Sequence, residues 1–307
     1  MRLGIVAVYL VTPGNERLLD LHFEYVERTT SVPYTIFAAA PRLEPGMRER
    51  LAAAPRVTIV EMPASELRGP EEHACYLERL VAAALADGVS HVVTLHVDSF
   101  PIRRGWDTET AARLDDGCPF AAVVRDDEVD RKPCTAFIFA ESTFLAAHRP
   151  TFLLPEATLE SAEFASYGRR FRALRDSGIG YGFAAWRAGL RWHVLARSNR
   201  GEDHCHFGSV YDDLVFHLGA ASWARKDFPG SDRLRVGWRL QRLAAGAARA
   251  VLPAAAARLV KGAAARLLPS LVSESRYAAN EREYLAVRDR LFADPEGYLA
   301  FLRSGVS

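Results

Sequence analysis

The 307-residue chain is 49% hydrophobic and 25% charged, a balance that excludes intrinsic disorder and fibrous repeats and leaves volume for a sizeable core. Its 39 lysines and arginines face 38 aspartates and glutamates, a formal charge of +1, which excludes bulk attraction to nucleic acid. Cys75, Cys118, Cys134 and Cys205 are scattered with no CxxC pair, which argues against a disulfide framework and for a reducing, cytoplasmic setting.

Arg2 leads at once into the β-rich apolar run Leu3 to Val11, which reads as a first strand and not as a cleavable signal. No window reaches about 18 consecutive apolar residues, so no membrane span is expected. The turn Thr12-Pro13-Gly14 is followed by an amphipathic stretch from Asn15 to Thr29, with Leu18, Leu19, Phe23 and Val26 at helical spacing. Next come a strand over Tyr34 to Ala40, a short helix over Gly46 to Ala54 and a strand over Arg56 to Met62. A longer helix over Glu71 to Ala86 ends at Asp87-Gly88, and a fourth strand spans Ser90 to Val97. Apolar strands separated by helices predict a mostly parallel α/β sheet with right-handed crossovers. Ligands of such sheets sit at the carboxyl ends of the strands.

After Phe100 the expected elements are a helix around Asp107 to Leu114, strands near Pro119 to Val124 and Thr135 to Phe139, and helices near Ser161 to Arg175 and Tyr181 to Ala188. A boundary is placed near Phe228-Pro229-Gly230, dividing a catalytic-type domain, 1–228, from a helical extension, 229–307. Residues 233–268 are rich in Ala, Leu and Arg and hold no acid. An amphipathic helix there would lie on an anionic membrane, giving peripheral contact through 233–272 at the inner face; packing on the domain or in a homodimer is the preferred alternative. A last charged helical pattern runs from Glu274 to about Phe301.

The stretch from Val92 to Pro101 carries the chemistry. Side chains alternate along a strand, so His96 and Asp98 at i and i+2 point to the same edge and are placed to share one ion. Carboxylate, water and phosphate oxygens suit Mg²⁺ or Mn²⁺, and imidazole suits Mn²⁺ better. The alternative is that Asp98 caps the following turn and His96 is a hydrogen-bonded strand-end residue.

The string Leu95-His96-Val97-Asp98-Ser99-Phe100-Pro101, continuing to Gly105-Trp106, resembles the strand-end segment of nucleotide-sugar glycosyltransferases of the A-type fold, family-two-like. In these a motif of the Asp-x-Asp type precedes a Phe-Pro and a Gly-Trp. The resemblance covers about residues 3 to 222, including the Thr12-Pro13-Gly14-Asn15 loop, the Glu72-His73 pair and the segment Tyr211 to Ser222 with His217. It implies a Rossmann-like, mostly parallel sheet flanked by helices, and a nucleoside-diphosphate sugar as donor. It further implies that Val11 and Thr12 line the nucleotide site, that Asp98 holds Mn²⁺ or Mg²⁺ and that His217 is a later ligand. Where the family has its first acid this chain has His96, which puts metal dependence in question. A functional His73 would meet the phosphates from a helix start; the alternative is an exposed first-turn pair.

Sugar transfer with inversion would also need a carboxylate near the acceptor hydroxyl. The candidates are Glu163, Asp176 and Asp203, with Asp176, ahead of Ser177-Gly178 and a helix, preferred; each has a cap or a solvated charge as its alternative. Arg125 to Glu128 reads as a charged turn near the sugar pocket. Glu202-Asp203-His204-Cys205-His206 reads as a substrate-covering loop or, with His217, as a zinc site. Trp186, Trp192 and Trp223 are candidates for stacking on a sugar, or core residues. The chain lacks GxGxxG and GxxxxGK[ST] signatures, which argues against a dinucleotide enzyme or a P-loop ATPase, and it lacks the loop of a nucleotidyltransferase. The leading expectation is a metal-assisted glycosyltransferase acting on an acceptor hydroxyl. The alternatives are a non-catalytic nucleotide-sugar binding or scaffold protein, and a zinc-dependent hydrolase.

Overall fold

The computed structural model describes residues 1–63, 66–124, 131–171, 176–201, 207–222, 256 and 274–305. Its frame is a seven-stranded sheet in the order β3-β2-β1-β4-β7-β6-β8. The strands are β1 (Leu3–Val8), β2 (Tyr34–Ala39), β3 (Val57–Ile59), β4 (His91–His96), β6 (Phe120–Val123), β7 (Cys134–Glu141) and β8 (His193–Leu195). The first four are mutually parallel and only β7 runs against its neighbours. A smaller antiparallel sheet joins β5 (Ser99–Pro101), β10 (Val215–His217) and β9 (Ser209–Tyr211) in that order.

Both faces of the large sheet are covered, which is why β1 reads as an unbroken apolar run. Its alternate residues enter two cores: Leu3, Ile5 and Ala7 pack with α1 (Arg17–Thr29), whereas Val6 and Val8 pack with α3 (Pro70–Ala86). The helix α2 (Pro45–Ala53) carries the chain from β2 to β3. After β3 the chain crosses back through α3 to place β4 on the other side of β1. The strand order reverses between β1 and β4, which opens a crevice at their carboxyl ends.

The expected α/β architecture with C-terminal helices is present. The edge strand β3 is shorter than expected because it pairs β2 only across Ile36 to Ala38. Two further strands, β8 and β9, and the pairing of Ser99–Pro101 with Val215–His217 were not legible as a pattern, since each strand is three residues long. The last helical pattern divides into α9 (Glu274–Ala293) and α10 (Pro295–Ser304). Pro295 cannot continue a helix, and the Asp294 carboxylate accepts from Gly297 N at 2.9 Å to start the next one. Both helices pack on the main core through Tyr284, Val287, Leu291, Tyr298, Leu299 and Leu302. The basic stretch 233–268, Arg125 to Glu128, Glu202 to His206 and Trp223 lie outside the described residues. Among the described residues no helix is long and apolar enough to cross a membrane.

Candidate metal and nucleotide site

The crevice between β1 and β4 holds the residues singled out by the motif. His96 is the last residue of β4, in register with Val8 of β1. The chain then turns, so Asp98 follows just beyond the strand end. β10 delivers His217 from the far side, pairing with Ser99. The tight turn before β10 runs through Asp212-Asp213, both with positive φ (48° and 55°), and is closed by Leu214 N donating to Tyr211 O. Their carboxylates are committed to structure: Asp212 accepts from Ala196 N and Arg113, and Asp213 from Arg200.

His96, Asp98 and His217 each offer a donor atom within 4.8 Å of the other two. His96 Nδ1 stands 3.9 Å from Asp98 Oδ1, and His217 Nε2 stands 3.7 Å from the same oxygen. Donors sharing one ion with bonds of about 2.1 Å lie about 3.0–3.4 Å apart at octahedral or tetrahedral angles, so the side chains need to close by about 1 Å. Asp98 and His217 are buried. Burial alone would raise the Asp98 carboxyl, but His217, His96 and the Ala221 N–H bring it below its ordinary value. A proton on His96 Nε2, donated to Thr135 Oγ1 at 3.1 Å, leaves the Nδ1 lone pair facing Asp98. Two imidazoles and one carboxylate with open space beside them fit a divalent transition ion, and Mn²⁺ better than Mg²⁺.

The triad lines a cavity of ≈ 390 Å³ with Val8, Leu10, Arg42, His73, Thr135, Asp176 and Ser177. His73 meets His96 edge to face, with ring centroids 5.2 Å apart. Desolvation and then the His96 charge pull its pKa down to about 3, so it stands in the wall as a neutral imidazole. A second cavity of ≈ 450 Å³ shares Arg42, Glu72 and Tyr76 and continues past Arg48 and Arg68 to Met62. Arg42 is held between them at 2.8 Å from the buried Glu72, which also accepts from Tyr76 Oη at 2.8 Å.

The structure therefore brings together His73, His96, Asp98, His217 and Asp176. Asp176 accepts from Ser177 N and pairs at 3.5 Å with Lys132, which is buried. Glu163 is elsewhere, on α7 (Ala162–Phe171), paired at 3.2 Å with Arg187. Thr12 donates to Ala221 O at 2.8 Å, and Val11 packs against the main core; neither lines the described cavities. Asp203 lies outside the described residues. Trp192 stacks on Phe120 and Trp186 on Phe183, so both serve packing. Sequence reasoning missed Arg42, whose signal was a basic residue just beyond the carboxyl end of β2. It also missed Lys132 and Thr135, which no local pattern marks.

No family model matches the sequence, and no curated protein matches it. Among solved structures, the chain is similar to the mannosyltransferase PcManGT from Pyrobaculum calidifontis, in complex with GDP-Man and Mn²⁺. That similarity is 13% identity and a TM-score of 0.43 over 94% of this chain and 86% of that one. Mouse xyloside xylosyltransferase 1, apo form, is similar at 9% identity and a TM-score of 0.38, over 64% of this chain and 85% of that one. A197 from STIV is similar at 12% identity and a TM-score of 0.37, over 71% and 94% respectively.

Proposed function

We propose that the protein is a glycosyltransferase that moves a sugar from a nucleoside-diphosphate donor to an acceptor hydroxyl with the help of a divalent ion. The observation that carries this reading is the His96–Asp98–His217 cluster at the strand-order reversal of an α/β sheet, with Asp98 and His217 buried and His96 half-buried, sharing its cavity with Arg42 and Asp176. In this reading His96, Asp98 and His217 hold the ion, which would neutralise charge on the leaving diphosphate. Arg42, paired with Glu72, would meet the same phosphates from the cavity lining. The nucleoside lies in the adjoining cavity, between the residues that follow β2 and those that follow β3. Neutral His73 donates a hydrogen bond to a phosphate oxygen without adding charge. Asp176, which lines the same cavity, is the acceptor-side base in this reading. As the acceptor oxygen bonds to the anomeric carbon and the bond to phosphate breaks, the diphosphate leaves with the electron pair and the acceptor proton passes to Asp176.

Titration calorimetry with UDP and GDP, each with and without Mn²⁺, tests the reading on the wild-type chain and on Asp98→Ala. Metal-dependent binding of one nucleotide that Asp98→Ala abolishes is the expected result. Binding of neither nucleotide under any condition would overturn it. The donor set also fits a catalytic zinc, so zinc retained through purification together with indifference to nucleotides would favour the hydrolase. Nucleotide binding without turnover of any donor would favour a binding protein.

A further inference from the structure

The Asp98 carboxylate is not held by the two imidazoles alone. Its Oδ2 accepts from Ala221 N at 3.2 Å, which leaves Oδ1 as the oxygen facing His96 and His217. Ala221 follows Gly219 and Ala220, both with positive φ (85° and 59°). An alanine in the left-handed region costs about 1 kcal/mol, so something must hold this turn in place. The carbonyl of Ala221 accepts from Thr12 Oγ1 at 2.8 Å and from Asn15 Nδ2 at 3.1 Å, and Asn15 Nδ2 also donates to Thr12 Oγ1 at 2.7 Å. Asn15 is buried, and its remaining acceptor, Oδ1, receives the hydroxyl proton of Tyr284 at 2.9 Å. Tyr284 is buried on α9, its ring set edge to face against Phe207 at 5.7 Å.

We infer that Tyr284 and Asn15 are positioning residues for the cation site: helix α9 sets the orientation of the Asp98 carboxylate through Tyr284, Asn15 and the Ala221 peptide. This rests on the reading of His96, Asp98 and His217 as ion ligands. Asn15 can accept from Tyr284 only with its amide oriented so that Nδ2 reaches Thr12 and Ala221, and a fixed Ala221 peptide presents its N–H to Oδ2 and not to Oδ1. Groups that orient a ligand in this way typically change metal affinity by about 10–100-fold when removed. The arrangement also makes residues more than two hundred positions downstream of the Thr-Pro-Gly-Asn loop part of the ion site.

The test uses the full chain and Mn²⁺ alone, with the free aqueous ion followed by electron paramagnetic resonance. Tyr284→Phe is expected to weaken Mn²⁺ binding about tenfold, Asn15→Ala at least as much, and the double variant no more than Asn15→Ala alone. Glu296→Gln, which breaks the ion pair between α10 and Arg28 of α1, serves as the control for docking strength. It should lower the thermal midpoint and leave Mn²⁺ affinity unchanged. Unchanged affinity in folded Tyr284→Phe, additive losses in the double variant, or an equal loss in Glu296→Gln would each overturn the inference while leaving the ion site standing. Failure of the wild-type chain to bind Mn²⁺ would overturn both.

Discussion

At His22 desolvation outweighs a nearby counter-charge: Asp98 draws its pKa up, and full burial draws it down further. His22 is fully buried on α1, both ring nitrogens lack a hydrogen-bond partner among the described residues, and Tyr9 and Phe23 meet its ring. Desolvation pulls its pKa from 6.5 to about 4. The folded chain thus binds this proton more weakly than the unfolded chain does. The contribution is fully present above pH 6.5 and is lost as pH falls toward 4, by about 3 kcal/mol from this group alone. His73, depressed for the same reason, adds a loss of the same sign. Urea midpoints measured from pH 7.5 to 4.5 should fall steadily for the wild type and less steeply for His22→Leu; parallel curves would contradict the assignment. Asp176 gives a second residue-scale prediction. With Asp176→Asn, nucleotide affinity should stay within about twofold while transfer falls about 100-fold, the size of a general-base effect. Loss of nucleotide affinity instead would place Asp176 in the donor site.

At the scale of elements, the wall that carries Asp176 depends on how closely α8 (Ile179–Arg187) approaches the chain before it. A Cβ at Gly180 would stand 1.9 Å from Thr151 O and 2.9 Å from its carbonyl carbon, both backbone atoms that cannot swing aside. Gly189, after the same helix, has φ +69° and open space around it. Gly180→Ala should therefore cost about 1–3 kcal/mol or more through overpacking, against about 1 kcal/mol of backbone strain for Gly189→Ala. Chemical denaturation of the two variants checks the order, and the reverse order would show that α8 can move away freely. The same reasoning limits what an element reveals in advance. The β1–α1 and α3–β4 units were legible because long runs repeat one periodicity. The three-residue strands β5, β9 and β10 exist only as partners of one another.

Over the whole molecule, the C-terminal helices belong to the main core and not to a detached tail. Six of their side chains join it, and at about 1.5–3 kcal/mol for each buried apolar residue their loss rivals the whole stability of a typical domain, about 5–15 kcal/mol. A chain ending at Ser273 should accumulate in insoluble form or show no cooperative thermal transition by circular dichroism. A cooperative melt close to that of the full chain would mean that residues 1–273 suffice. The sequence by itself determined the parallel α/β layer, its crossovers and the crevice at the strand ends, because alternation and helical spacing are local consequences of burial. It also marked His96 and Asp98 as a pair, since two residues apart on a strand end means one edge. The resemblance already pointed to His217 as a ligand, and tertiary structure set it 3.7 Å from Asp98; tertiary structure alone decided that Lys132 pairs with Asp176 and that Glu163 is turned toward Arg187. It alone decided that Tyr284 braces Asn15. Those contacts join segments dozens to hundreds of residues apart, and their geometry is set by how sheets and helices pack, which no local pattern of side chains encodes.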